Sequence, residues 1–215
     1  MQDLQRITPY RTVTEASEIV FVEKRSRFIG RCYPIATEEE ALSYLEQIRK
    51  KHWDATHNCY AYALRDGTAR FSDDGEPSGT AGMPMMDGIK RIGVVDVLCI
   101  ATRYFGGILL GAGGLVRAYS KTACDAIRAA KIVRMLPCTQ FQLKMPYPYW
   151  GSVQLLLERF GSIQEVQYTD VVTCFVWVQE EQVELFQRTL TEKTEARVLA
   201  VPVRNDWFPF SDEEA

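Results

Sequence analysis

The clearest pattern in the chain lies in residues 138–203, CTQFQLKMPYPYWGSVQLLLERFGSIQEVQYTDVVTCFVWVQEEQVELFQRTLTEKTEARVLAVPV. Four segments have the alternating or β-branched composition of strands, and two have apolar residues at helical spacing. In chain order they are a strand (138–145), a helix (149–160), two strands (163–168 and 171–178), a helix (182–190) and a strand (197–203). The order β-α-β-β-α-β predicts a ferredoxin-like sandwich for this part of the chain.

The residues before this segment are less regular and indicate an α+β layer domain. Thr37 begins a helix, because Glu40 follows at the spacing of a capping box. The run 94–104 is continuously apolar, which is typical of a central strand. The predicted elements are strands at 12–22 and 28–35, the helix from Thr37, a strand at 57–64, the strand at 94–104 and a helix at 115–131.

The net charge of the chain changes sign near residue 135. Residues 1–134 carry a net charge of +3 and residues 135–215 carry −6, which together give −3. Pro137 cannot continue the preceding helix, so residues 135–137 are predicted to join two domains. We therefore expect an N-terminal domain at 1–135, a ferredoxin-like domain at 136–205 and a loose acidic tail at 206–215, whose aromatic residues are able to dock on a surface.

Composition excludes several classes of protein. A hydrophobic content of 47% and a charged content of 25% exclude disorder of the whole chain. No apolar run approaches the roughly 18 residues of a membrane span, and the first residues lack the apolar core of a secretory signal. We therefore expect a cytoplasmic protein that does not contact membranes. The six cysteines form no C-x-x-C pair and are expected to be buried structural thiols.

Glycine is concentrated in one region of the sequence. Ten of the fourteen glycines lie between residues 75 and 114. Most belong to two loops, which we name the acidic loop (residues 71–82, FSDDGEPSGTAG) and the glycine loop (residues 103–114, RYFGGILLGAGG). The glycine loop lies between a predicted buried strand and a predicted helix. Glycine allows a ligand to approach the backbone closely, and the free N–H groups at a helix start favour an anion.

These features predict a site for a phosphate of RNA or of a nucleotide. The predicted contacts are Arg103, Tyr104, Gly106, Gly107, Gly111, Gly113, Gly114, Arg117 and Lys121. The alternative is that the glycines only pack the strand against the helix. Arg103 likewise has two candidate roles: its guanidinium contacts phosphate at the rim, or it is the buried partner of an acidic-loop carboxylate. Tyr104 or Phe105 could stack on unpaired bases.

The acidic loop contributes a second set of candidates. Asp73, Asp74 and Glu76 have the chemistry to bind Mg²⁺ or to act in acid–base catalysis. The favoured interpretation is that they cap the turn and form a salt bridge with Arg103 or Arg70.

His57 is one of only two histidines and belongs to the same set of candidates. It faces the same side of its strand as Cys59, which permits a Cys/His pair. A structural histidine that bonds to the acidic loop is favoured. We expect neither a metal nor another cofactor.

The two loops also carry a family resemblance. The string Arg103–Gly111, RYFGGILLG, resembles the signature of the YigZ/IMPACT family. The strings FSDDGEP at 71–77 and GTAG at 79–82 resemble its second hallmark, and KRSRFI at 24–29 fits as well. The resemblance extends from about residue 15 to about residue 205.

This resemblance implies a fold and a cellular context. It implies a first domain like the second domain of ribosomal protein S5 and a second domain like a ferredoxin-like domain of elongation factor G. The eukaryotic relatives act in translational control, where they bind the activator of an amino-acid-starvation kinase. The resemblance brings no established catalytic activity with it, so an enzyme is the less favoured interpretation.

Two hypotheses about function follow. The first is a non-enzymatic binding protein linked to translation regulation, which contacts RNA, the ribosome or a translation factor through the glycine loop. The second is a small-molecule enzyme that acts with Mg²⁺ on a phosphorylated or anionic substrate. The expected partner is RNA or a ribosome-associated protein, and the sequence leaves the oligomeric state open.

Overall fold

The computed structural model describes residues 8–212. They form two compact units: Tyr10–Arg134 together with residues 211–212, named the first unit, and Met135–Phe210 together with residues 8–9, named the second unit. Both units contain helices and strands, which confirms the coarse part of the α+β prediction, a mixed fold of helices and strands in two regions.

The first unit contains an antiparallel sheet with helices on both faces. Its elements are β1 (Tyr10–Val13), β2 (Ser17–Glu23), β3 (Ser26–Pro34), α1 (Glu38–Lys51), β4 (His57–Ala63), β5 (Ala69–Ser72), α2 (Gly82–Ile92), β6 (Val97–Tyr104) and α3 (Ala112–Ala129). The strand order in the sheet is β2-β3-β6-β4-β5. The predicted central strand is therefore central in the structure.

Successive side chains of β6 point to opposite faces of the sheet. Leu98 and Ile100 pack in the cluster that contains the buried residues of α1, and Cys99 and Ala101 pack in the cluster that contains those of α2 and α3. Because neighbours in a strand point to opposite faces, the last two residues of β6 are separated by the sheet.

The starts of α1 and α3 account for the capping pattern at Thr37 and for the glycines near residue 111. The Thr37 hydroxyl accepts the N–H of Glu40 at 3.2 Å, as the capping pattern predicted. Helix α3 begins at Ala112, three residues before the predicted start at 115. Gly111 precedes it with a φ of 72°, a left-handed conformation that favours glycine. Gly113 and Gly114 therefore lie in the first turn of α3.

The second unit has the predicted order of elements. They are β7 (Ile132–Met145, whose first three residues belong to the first unit), α4 (Tyr147–Phe160), β8 (Gly161–Tyr168), β9 (Val172–Gln179), α5 (Val183–Thr194) and β10 (Ala200–Ser211). Strand β9 pairs with β7 and β8, and β10 pairs with β7. Apolar residues of both helices, including Leu157 and Phe186, pack in one core with Phe141 of β7.

Two boundaries differ from the sequence prediction. Strand β7 begins at Ile132, so residues 135–137 lie within a strand; proline is tolerated in a strand where its missing N–H is not needed. The loose tail is a wrong prediction for residues 206–211, which belong to β10. The Phe208 ring stacks 5.3 Å from that of Trp177, and this aromatic contact favours order. Residues 213–215 of the predicted tail lie outside the described residues.

All six cysteines are buried and free, which confirms that they are structural thiols. Within residues 8–212, no helix combines the length and the apolar composition needed to cross a membrane.

Candidate functional site

Tyr104 lies on the α1 face of the sheet, away from the glycine loop's other predicted contacts. Its hydroxyl is 2.9 Å from Nδ1 of His52 and donates to Asp54 at 3.0 Å. The Arg27 guanidinium lies 4.6 Å from the centre of its ring. The prediction that Tyr104 joins the phosphate site is therefore wrong, and strand alternation is the reason.

His52 connects this cluster to a buried arginine. Nε2 of His52 lies 2.7 Å from Nη2 of Arg31, which can only donate, so Nε2 accepts and the histidine is neutral. Arg31 is 2% exposed and also bonds to Glu18 and Thr102. Burial, and next the charges of Arg31 and Lys51, lower the pKa of His52.

Arg103 lies on the opposite face and is buried, with 5% of its surface exposed. Its Nη1 donates to Oε1 of Glu76 at 2.6 Å, and its Nη2 donates to the Ser26 hydroxyl at 3.2 Å. The Tyr119 hydroxyl donates to the same Glu76 oxygen at 2.7 Å. The expectation that the Arg103 guanidinium reaches the rim is wrong. Arg103 instead joins the glycine loop to the acidic loop, the second of its two candidate roles.

Asp73 holds the acidic loop in shape. Its carboxylate accepts the backbone N–H groups of Gly79, Ala81 and Gly82 at 2.8, 3.0 and 2.8 Å. Burial acts to raise the pKa of Asp73, but these bonds outweigh it and the pKa is lowered. Asp73 therefore caps the turn and the start of α2, which is the favoured interpretation from sequence.

Asp74 has different partners from Asp73. Its Oδ2 accepts the N–H of Asn58 at 2.7 Å, and its Oδ1 forms a salt bridge with Arg49 at 2.9 Å. The carboxylates of Asp73, Asp74 and Glu76 thus bond to different partners. Among residues 8–212, no three His, Cys, Asp or Glu side chains are arranged to hold a metal ion.

His57 is held by the acidic loop. Its Nδ1 lies 2.8 Å from the carbonyl oxygen of Asp74, so Nδ1 carries the proton and donates. Nε2 lies 3.8 Å from Oε1 of Glu76. Cys59 makes no bond to His57: its thiol donates to the Asp73 carbonyl at 3.0 Å, and burial raises its pKa to about 12. The possible Cys/His pair does not form.

The glycine loop is held by bonds and close packing at its start, and it has free space around Gly107. The Phe105 N–H donates to Thr56 Oγ1 at 3.0 Å. A Cβ on Gly106 would overlap the carbonyl group of Arg25, so this glycine packs directly on the β2–β3 hairpin. Gly107 has a φ of 80°, and a Cβ there would meet no atom within 4 Å, so its role is conformational. The N-cap residue of α3 is Gly111, which has no side chain to cap the helix.

The two loops converge on one cavity of about 350 Å³, which we name the cleft. Its wall is mainly apolar, with Pro77, Phe105, Leu109, Leu110, Ala112 and Leu115. The remaining lining residues are Thr56, His57, Gly75, Glu76, Arg103 and Gly111. The cleft therefore brings together residues from both predicted sets.

Arg117 and Lys121 line a different cavity. This cavity has a volume of about 260 Å³ and is lined by Phe21, Glu23, Lys24, Leu110, Gly114, Arg117, Ala118 and Lys121; we name it the cationic groove. Leu110 lines both the cleft and the cationic groove, so they are neighbours along the first turn of α3. Gly113 lies beside Arg117, whose Nη1 is 3.6 Å from the position of a Cβ.

Sequence reasoning missed several lining residues. Lys24 belongs to the tight hairpin turn, where it and Arg25 have φ values of 44° and 65°. The charged turn was visible in the sequence, but its packing on Gly106 was not. Leu109 is 81% exposed, and no local pattern distinguishes it from the buried Leu110.

Comparisons with known proteins identify the family. The Impact N-terminal domain matches residues 24–127, and a domain of unknown function, DUF1949, matches residues 143–197. The chain is 38% identical over 191 residues to IMPACT family member YvyE of Bacillus subtilis, covering 87% of this chain and 88% of YvyE. It is 35% identical over 191 residues to IMPACT family member YigZ of Escherichia coli, covering 86% and 92%.

A solved crystal structure of a hypothetical protein is similar as well, with a TM-score of 0.58 and 31% identity over 91% of this chain and 98% of the other. The chain therefore belongs to the IMPACT family. The cleft lies entirely within the part matched by the Impact N-terminal domain, as does the cationic groove apart from Phe21 and Glu23.

We expect Arg103→Ala to lower the free energy of unfolding by about 3–5 kcal/mol, because it leaves the buried Glu76 carboxylate without its charged partner. Arg117→Ala is the matched control and should leave stability nearly unchanged, because Arg117 is exposed. Urea unfolding of both variants makes the comparison. A loss in Arg103→Ala no larger than in the control would contradict a structural role for the pair.

We expect the folded chain to lose stability as pH falls below about 7, because His52 has a lowered pKa in the fold and an ordinary one near 6.5 when unfolded. The stabilisation is complete above the unfolded pKa and is lost as pH falls toward the folded one. His52→Gln should flatten this dependence. Melting temperatures across the pH range make the test, and equal slopes in both proteins would refute the assignment.

Proposed function

We propose that this chain is a non-enzymatic binding protein linked to translation regulation in the cytoplasm, and that it contacts RNA through the glycine loop and the cationic groove. The observation that supports this proposal most is a set of cations beside the first turns of α3. Lys24 of the β2–β3 hairpin and Arg117 and Lys121 of α3 line one groove next to a helix start whose N-cap residue is a glycine without a side chain. Cations and a free helix start both favour phosphate.

The charges of the groove are available to a ligand. Lys24 and Arg117 are exposed, and no carboxylate among residues 8–212 pairs with either of them. Lys121 pairs with Asp125 one turn along α3 and remains 56% exposed. An exposed pair of this kind contributes little, so a phosphate can replace the carboxylate at low cost.

The polar groups of the acidic loop and of the residues packed against it favour binding over catalysis. The Cys59 thiol has a pKa of about 12 and cannot act as a thiolate near neutral pH. Burial raises the pKa of Tyr119 as well. Asp73, Asp74 and Glu76 are each engaged by partners of the chain itself, which weakens the alternative of an enzyme that uses Mg²⁺.

The family supports the link to translation. Because the two loops resemble the YigZ/IMPACT hallmarks, we extend to this chain the link to translational control that the resemblance implies. We also assign the first unit to the fold of the second domain of ribosomal protein S5 and the second unit to the ferredoxin-like fold, with a division near residue 135. The pairing of β7 with both β9 and β10 supports the second assignment.

The proposal is tested by the salt dependence of RNA binding. We expect a short single-stranded RNA to bind the full chain more weakly as salt rises. Arg117→Ala should weaken binding and lower the slope of log affinity against log salt by about one, with an unchanged melting temperature.

Arg128→Ala is the matched control. Arg128 lies on the same helix, is 64% exposed and does not line the groove, so its loss should change the slope little. Absence of RNA binding at low salt, or equal slopes for the two variants, would refute the proposal. Retained binding of a translation factor in that case would assign the groove to a protein partner.

A further inference from the structure

The cleft combines an apolar wall with a fixed aromatic ring. Phe105 is 45% exposed, and its ring centre lies 5.5 Å from the Arg103 guanidinium, which is itself buried. The bond from its own N–H to Thr56 fixes the backbone. The backbone of Phe105 is therefore held in place before any ligand arrives, which lowers the entropic cost of offering its ring as a stacking surface.

His57 offers a hydrogen-bonding atom to the cleft. Nδ1 of His57 donates to the Asp74 carbonyl, which leaves Nε2 as an acceptor in the neutral form of the ring. Glu76, 3.8 Å from this atom, is already paired with Arg103. The pair leaves no unpaired carboxylate or guanidinium at the floor of the cleft, and with a neutral His57 the floor favours a flat, neutral group with an N–H at its edge.

The positively charged features lie at the side of the cleft. Gly111 and Ala112, at the uncapped start of α3, line it, and Leu110 separates it from the cationic groove. A ligand that fills both spaces needs an aromatic or apolar part next to a phosphate. At about 350 Å³, the cleft is at the small end of the range for ligand sites, so it admits one such group.

We propose that the cleft binds one unstacked base of single-stranded RNA, with the adjoining phosphate at the start of α3 and the next phosphates along the cationic groove. The base stacks on Phe105 and donates an N–H to Nε2 of His57. This inference rests on the proposed function, which requires only phosphate contacts in the groove. It adds that the protein distinguishes unpaired strands, since paired bases are not free to enter the cleft.

The test measures the contribution of the bases to RNA affinity separately from that of the phosphates. A short oligouridylate and a strand of the same length with abasic sites throughout have the same phosphates, so the ratio of their affinities measures the contribution of the bases. We expect the full chain to bind oligouridylate about 5- to 150-fold more tightly than the abasic strand. Phe105→Ala should remove most of this ratio and leave the salt slope unchanged.

Phe71→Ala is the matched control. Phe71 is also 45% exposed and does not line the cleft, so the ratio should survive its loss. Leu109→Ala provides a second cleft variant at an 81% exposed position, where folding is not at risk. It should lower the ratio without changing the melting temperature.

The outcomes separate the two proposals. Equal affinity for both strands, with a normal salt slope, overturns the base site and leaves the proposed function intact. An unchanged ratio in both Phe105→Ala and Leu109→Ala also overturns it, and would assign the apolar wall to a protein partner. Absence of binding to either strand overturns both proposals.

Discussion

The bond between Arg103 and Glu76 determines how the functional part of the first unit is built. The two residues are 27 positions apart in the sequence and belong to different loops, and both side chains are at most 6% exposed. A single buried charge would cost several kcal/mol, so each residue requires the other, together with the hydrogen bonds from Tyr119 and to Ser26. This mutual requirement holds the glycine loop and the acidic loop together and creates the cleft between them.

The same bond determines which residues near the cleft keep a charge that a ligand can contact. Because Arg103 and Glu76 neutralise each other, we assign the proposed phosphate contacts to Arg117, to Lys24 and to the start of α3. Gly106 contributes by packing on the carbonyl group of Arg25, which fixes the β2–β3 hairpin and places Lys24 in the groove. In the proposal, the base is selected by the cleft and the phosphates are attracted by the cationic groove, two neighbouring surfaces that share Leu110.

Local patterns predicted most of the fold. The apolar run of β6, the capping box at Thr37 and the six elements of the second unit were all visible in the sequence, because burial and capping are encoded by nearby residues. The predictions failed where distant residues decide the outcome. Phe208 orders the last strand through Trp177, and Tyr104 and Arg103 separate because β6 lies between two helical layers. The two glycine-containing loops were predicted as the site, and a salt bridge from an acidic-loop carboxylate to Arg103 or Arg70 was the favoured interpretation. The choice of Glu76 and Arg103 as the partners depends on tertiary packing that no spacing rule contains.

The central claim is that Arg103 and Glu76 act as one unit, and a double-mutant cycle tests it most directly. Unfolding free energies are measured for Arg103→Met, Glu76→Leu and the double variant. The account predicts that each single substitution is costly and that the double variant is more stable than the sum of the two losses implies, because it leaves no unpaired buried charge. Losses that simply add would contradict the account, since they would mean that the two loops are held together by other contacts.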